Sequence, residues 1–162
     1  MKSFLILAIL AISPVFTVAQ KFEDFEDIKL KTEEDYVNSE PQVLEACDYI
    51  LDSRIGDQSA SRLNAVIFMI RWSTGAPYDF VIAEWGMNLL KKESDFLVIQ
   101  LASLVKFKLE NKDVDEADVQ LGAATLVYKY IKNPKSFVKI KGYIKKFVAA
   151  GDAGTLQSFI SN

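Results

Sequence analysis

A chain of 162 residues, half of them hydrophobic and a quarter charged, with a net charge of −3, has the balance of an ordinary globular protein. It is long enough for one domain with a real hydrophobic core. It contains no histidine and one cysteine, which excludes serine-histidine and cysteine-histidine catalysis, histidine-bearing zinc sites, thiolate metal clusters and an internal disulfide.

The chain opens Met1-Lys2-Ser3, is apolar throughout residues 4–12, and passes Ser13-Pro14 and Thr17-Val18-Ala19 before Gln20. A basic start, a short apolar stretch, a helix breaker and small residues where a signal peptidase reads predict a cleavable signal peptide over residues 1–19. The apolar stretch is shorter than the ~20 residues a membrane span requires. The mature chain is therefore expected to be exported, periplasmic or extracellular in a bacterial source, with no transmembrane helix of its own. Residues 23–35 carry seven acidic side chains among few apolar ones, which predicts a mobile acidic leader over residues 20–39, ahead of a single helical domain over residues 40–162. The three-residue recurrence of Phe22, Phe25 and Ile28 offers an alternative, one helical turn seated on the domain.

Beyond Ser39 the apolar residues recur with helical period almost throughout, so the fold class is all-α: six or seven helices packed as antiparallel hairpins. The first helix covers residues 40–52, with Ser39 and Gln42 at capping-box spacing and Pro41 in the first turn. Cys47 shares the stripe of Val43, Leu44, Ile50 and Leu51 and is expected to be a buried small hydrophobe. The second helix starts near Ser59, carries Leu63, Val66, Ile67 and Ile70 inward, and stops before Gly75 and Pro77. The third follows Asp79 with a core stripe of Phe80, Ile82, Trp85 and Leu89, forming a hairpin with the second. The fourth is capped by Ser94 and buries Leu97, Leu101, Leu104 and Val105.

The fifth helix opens at Asp115, with Val119, Gly122, Ala123 and Leu126 on one side, and ends at Asn133-Pro134. Pro134 begins the sixth, whose apolar face is Phe137, Ile140, Ile144, Phe147 and Val148 and whose stop is Gly151. A short seventh helix runs near Thr155 to Ile160. Turns near Gly75, Asp113 and Gly151 are evenly spaced, as in a stack of helical hairpins, so a three-hairpin solenoid and an irregular bundle both fit.

Residues 113–118 alternate acidic side chains as a calcium loop does, but Ala117 and Asp118 stand where a ligand and a glycine are required. A helix N-terminus capped by Asp115 fits better. No glycine-rich phosphate loop occurs, and neither a cofactor nor a metal is expected. Carboxylate chemistry on a glycan remains open, with Glu84 as the candidate acid, because Val81, Ile82, Ala83 and Trp85 would desolvate it. The structural alternative pairs Arg71 with Asp79 or Glu84. Trp72, Tyr78 and Trp85 flank one turn and could line a ligand groove, although aromatic rings more often fill a core.

Charge is unevenly distributed. Residues 127–162 hold seven lysines against Asp152, whereas residues 20–126 carry eleven basic and twenty-one acidic side chains. Lys135, Lys139 and Lys146 fall on one face of the expected sixth helix, a pattern that suits anionic lipid or polymer. The acidic balance of the whole chain argues against nucleic acid as the main partner. The sequence thus points to an exported, non-enzymatic binding or assembly module with a protein partner. A carboxylate-dependent glycan hydrolase and an envelope protein in peripheral contact with anionic lipid are the alternatives.

Overall fold

The computed structural model describes residue 25 and residues 27–161. The signal peptide expected over residues 1–19, and Phe22, lie outside the described residues. Within them the chain is all-α, with eight helices: α1 Glu33–Asn38, α2 Glu40–Asp52, α3 Ala60–Gly75, α4 Glu84–Leu90, α5 Phe96–Glu110, α6 Glu116–Lys132, α7 Gly142–Asp152 and α8 Leu156–Ile160. A 3-10 turn, Pro134–Ser136, follows α6. α2 is sandwiched between α3 and α5, α6 packs on the far side of α5, and α7 and α8 close the end of α6. The result is an irregular bundle. α4 packs on α5 and α7 rather than alongside α3, so the hairpin expected about residues 75–77 does not form.

Several boundaries follow from caps visible in the sequence. Ser59 accepts from the Arg62 N–H at the start of α3, and Asp115 accepts from the Asp118 N–H at 2.9 Å at the start of α6. Each side chain satisfies a backbone donor that the first turn of a helix leaves without a partner. α5 differs: its N-cap is Asp95, not Ser94, and Asp95 turns its carboxylate elsewhere.

The leader departs from expectation. Thr32 and Asp35 form a reciprocal capping box that starts α1, and the backbone N–H groups of Lys31 and Thr32 hold the Asp35 carboxyl below its usual pKa. Phe25 is buried and stacks on Phe68 with ring centroids 4.5 Å apart. Arg71 does not pair with Asp79 or Glu84. Its Nη2 donates to the carbonyls of Phe25, at 2.7 Å, and Ile28, at 3.1 Å. The described part of the segment is thus fastened to the domain through the Phe25–Phe68 stack, the Arg71 guanidinium and the Trp72 indole, which donates to the Tyr36 carbonyl and Ser39 Oγ.

The buried face of α3 is also corrected. Ala65, Phe68, Met69 and Trp72 are inside, with Arg62, whereas Leu63, Ile67 and Ile70 are about half exposed. Residues 63–72 are apolar on nearly every side, so periodicity alone admits two stripes. The stripe holding Phe68 and Trp72 removes the larger area from water and gives the indole N–H its partners, the Tyr36 carbonyl at 3.0 Å and Ser39 Oγ at 3.1 Å. Leu97, expected inside α5, is likewise exposed, while Ile99, Leu104 and Val105 form that helix's core face.

α4 begins at Glu84, not after Asp79, and residues 79–83 have no helical structure. The Val81 carbonyl accepts from Gln120 Nε2 at 2.9 Å and the Tyr78 hydroxyl donates to Glu40 at 2.6 Å. These bonds hold the stretch in place before the β-branched pair Val81-Ile82, which favours extended backbone. Gly86 in α4 is a matter of space: a Cβ there would run into the amide of buried Gln100, whose Nε2 donates to the Gly86 carbonyl at 2.8 Å.

Cys47 is fully buried in α2 and unbridged, and burial pushes its thiol pKa far up. It behaves as the small hydrophobe expected from its stripe.

Candidate functional site

The residues singled out in the sequence are dispersed. Trp72 has no exposed surface and stacks on Tyr78 at 6.0 Å, and the Tyr78 hydroxyl is engaged by Glu40, which also pairs with Lys112 at 2.7 Å. Trp85 is almost as buried, stacks on Phe147 at 5.7 Å and donates to Gln120 at 3.1 Å. Both indoles have their faces covered and their N–H groups satisfied, so these rings line no groove. Glu84 is exposed at the first turn of α4 rather than desolvated beside Trp85, and the surrounding apolar run lies outside a regular helix. Burial raises the pKa of the Tyr143 hydroxyl, a hydrogen bond with Asn88 opposes the shift, and the Glu84 charge adds the smallest contribution.

The basic C-terminal helix is also corrected. A continuous helix from Pro134 does not form, because the Ser136 carbonyl accepts from the Ile55 N–H at 2.9 Å and the next residue, Phe137, adopts the left-handed conformation. Residues 138–141 then run without helical structure to Gly142, which also has a positive φ and opens α7. Lys135, Lys139 and Lys146 therefore share no helical face. Lys135 lies 3.8 Å from Asp52, in the 3-10 turn. Phe137 and Ile140, expected to be core, are exposed.

The break creates a different site. At the C-terminal end of α4, where cations suit the helix dipole, Lys91 and Lys92 lead into the turn before α5. Opposite them stand Lys139 and Lys141, next to the start of α7. Together with Glu93 and Gly142 they surround a hollow of about 560 Å³ whose apolar wall is Ile55, Phe96, Phe137, Val138 and Ile144. A second hollow of about 330 Å³ shares Lys91, Lys92 and Gly142 and extends to Asn88, Tyr143 and Lys146.

Five lysines thus border the joined hollows, and Glu93 is the one carboxylate among the lining residues. Among the described residues none of the five forms an ion pair, although Lys91 donates to Asn88 Oδ1 at 3.1 Å. Other basic residues are neutralised: Lys132 pairs with Asp152 at 2.9 Å, Lys106 with Asp48 at 2.8 Å and Arg62 with Asp95 at 2.6 Å. No side chain caps the α7 N-terminus, so its dipole adds to the positive potential. Uncompensated cations around a concave, partly apolar wall raise the local concentration of anions.

Lys139 and Lys146 were legible as candidates. Lys91, Lys92 and Lys141 were not, because only the break at residues 137–141 brings that segment opposite the end of α4. Among the described residues no helix is long and apolar enough to cross a membrane. In comparisons with known proteins, no family model, no curated protein and no solved structure matches the chain.

Proposed function

We propose that the protein is an exported, non-enzymatic binding module whose lysine-lined hollow takes a phosphorylated or similarly multivalent anion. The observation that carries this reading is that Lys91, Lys92, Lys139, Lys141 and Lys146, without ion-pair partners among the described residues, line two hollows that share Lys91, Lys92 and Gly142. Lysine offers a compact charge with rotatable donors, which suits an anion with charge spread over several oxygens, whereas planar bidentate recognition is the role of arginine. No arginine lines either hollow.

Calorimetric titration with tripolyphosphate tests the reading. The wild-type chain is expected to bind with an affinity that falls as salt rises, and the triple variant Lys92→Gln, Lys139→Gln, Lys141→Gln is expected to bind about tenfold or more weakly with unchanged unfolding. Equal affinity in the triple variant would reject the hollow as the site. Export is tested separately by the intact mass of protein recovered from the periplasm or medium. An N-terminus at Gln20 is expected, and retention of residues 1–19 in that fraction would reject the signal peptide.

A further inference from the structure

The hollow is bordered by apolar side chains that the fold leaves in water. Phe137 is 70% exposed, the largest value among the exposed large hydrophobics of the described residues, and Ile140 is 45% exposed. Both sit on the short segment that carries Lys139 and Lys141. Phe137 is the one described residue other than glycine with a positive φ, at 56°, a conformation that costs an L-residue strain and persists only where the surroundings impose it. Here the Ile55 bond to the Ser136 carbonyl and the Ser136 hydroxyl, which accepts from the Val138 N–H at 3.4 Å, impose it. Arg54 stands 5.9 Å from the Phe137 ring centroid. The ring thus lies at the rim of the hollow with Arg54 over it, while most of its surface stays in water.

We infer that residues 137–141 form a wedge by which the protein docks on an anionic phospholipid surface. Phe137 and Ile140 enter the boundary between headgroups and acyl chains while the surrounding lysines hold the phosphates. Apolar tips and an encircling set of cations are the two signals that interfacial binding combines, since either alone gives weak attachment. The charge distribution fixes the orientation. The chain as a whole is negative, so five lysines without ion-pair partners among the described residues single out this face for an anionic bilayer. The contact is peripheral, consistent with the absence of a spanning helix among the described residues. The inference rests on the anion-binding reading of the same hollow and names its partner.

Co-sedimentation with phosphatidylcholine vesicles, with and without phosphatidylglycerol, tests it, alongside the tripolyphosphate titration. The protein is used as recovered from its expressing cells, with the same N-terminus in every variant. Wild type is expected to sediment with phosphatidylglycerol vesicles and not with phosphatidylcholine alone, and added salt should release it. Ile140→Ser, at a residue that does not line the hollow, should lower vesicle affinity while keeping wild-type affinity for tripolyphosphate, and the double variant Phe137→Ser, Ile140→Ser should lose about tenfold or more in vesicle affinity. Phe137→Gly, which suits the left-handed backbone, should behave in the same direction and guards against a folding defect. The lysine triple variant should lose both activities. Wild-type sedimentation of the double variant would overturn the wedge. Tripolyphosphate binding without any vesicle binding would overturn the lipid surface and leave the anion site standing. Absence of both would overturn both readings.

Discussion

Replacing Arg62 by methionine is expected to lower the unfolding free energy by about 3 kcal/mol. Arg62 is 5% exposed, and its guanidinium joins three pieces of chain: Nη2 to Asp95 at 2.6 Å, Nε to Ser53 Oγ at 2.9 Å and Nη1 to the Asp57 carbonyl at 3.2 Å. Removing it leaves the Asp95 carboxylate with the Gly56 N–H, at 3.0 Å, and strips two further acceptors. Breaking a buried pair costs about 3–5 kcal/mol, mostly because the remaining charge stays out of water. The Asp95 side chain keeps a fifth of its surface exposed, which places the cost at the lower end. Urea unfolding measures it, and a loss below about 1 kcal/mol, the range of surface pairs, would reject the argument. Adding Asp95→Leu should recover part of the loss, since the stranded charge is then gone.

The same substitution should reach the candidate site. Arg62 and Asp95 pin residues 53–57 against α3 and α5, and within that loop the Ile55 N–H holds the Ser136 carbonyl that ends the 3-10 turn. The position of residues 137–141, and with it of Lys139 and Lys141, depends on a bond whose donor sits in the loop that Arg62 fastens. Folded Arg62→Met is therefore expected to bind tripolyphosphate more weakly than wild type, although residue 62 does not line the lysine hollow.

What the sequence made legible is the local chemistry. Ser59 and Asp115 place helix starts because a capping side chain and its backbone donor lie within a few residues of each other, whereas Ser39 makes no capping bond and α2 is marked by Pro41 in its first turn. The same rule applied to Thr32 and Asp35 would have found α1, had the acidity of the surrounding residues not favoured an unstructured reading. What was not legible depends on distant partners. The inward face of α3 is chosen by Phe68 and Trp72 against partners on α1, α2 and residues 77–83, and a stretch apolar on all sides carries no period to announce it. The late start of α4 depends on Gln120, and the break after Ser136 on Ile55. Because that break also assembles the lysine hollow, a continuous helix drawn from the apolar pattern put Lys139 and Lys146 on one face and buried Phe137 and Ile140, which are exposed.

Trp72→Ala is expected to be the most damaging single change at an aromatic position, at about 4 kcal/mol within the 3–5 kcal/mol that such truncations cost. Trp72 has no exposed surface, stacks on Tyr78, meets Tyr36 edge-on at 6.5 Å and donates to the Tyr36 carbonyl and Ser39 Oγ. One side chain thus ties α3 to α1, to the start of α2 and to the segment before α4. Against a total stability of about 5–15 kcal/mol, its loss would leave a substantial unfolded population on mild heating, measurable as a lowered melting temperature. Trp72→Phe separates packing from the hydrogen bonds: the ring contacts largely survive and the indole donor does not, so about 1–2 kcal/mol is expected. Ser39 Oγ keeps its own bonds to the carbonyls of Asp35, at 2.8 Å, and Tyr36, at 3.1 Å, which limits the damage. If Trp72 instead served a ligand groove with Tyr78 and Trp85, Trp72→Phe would alter ligand affinity and spare stability. Its covered faces and satisfied N–H require the reverse: stability falls and tripolyphosphate affinity stays, because the lysines proposed to hold the anion belong to the end of α4, to α7 and to the residues between Phe137 and Gly142.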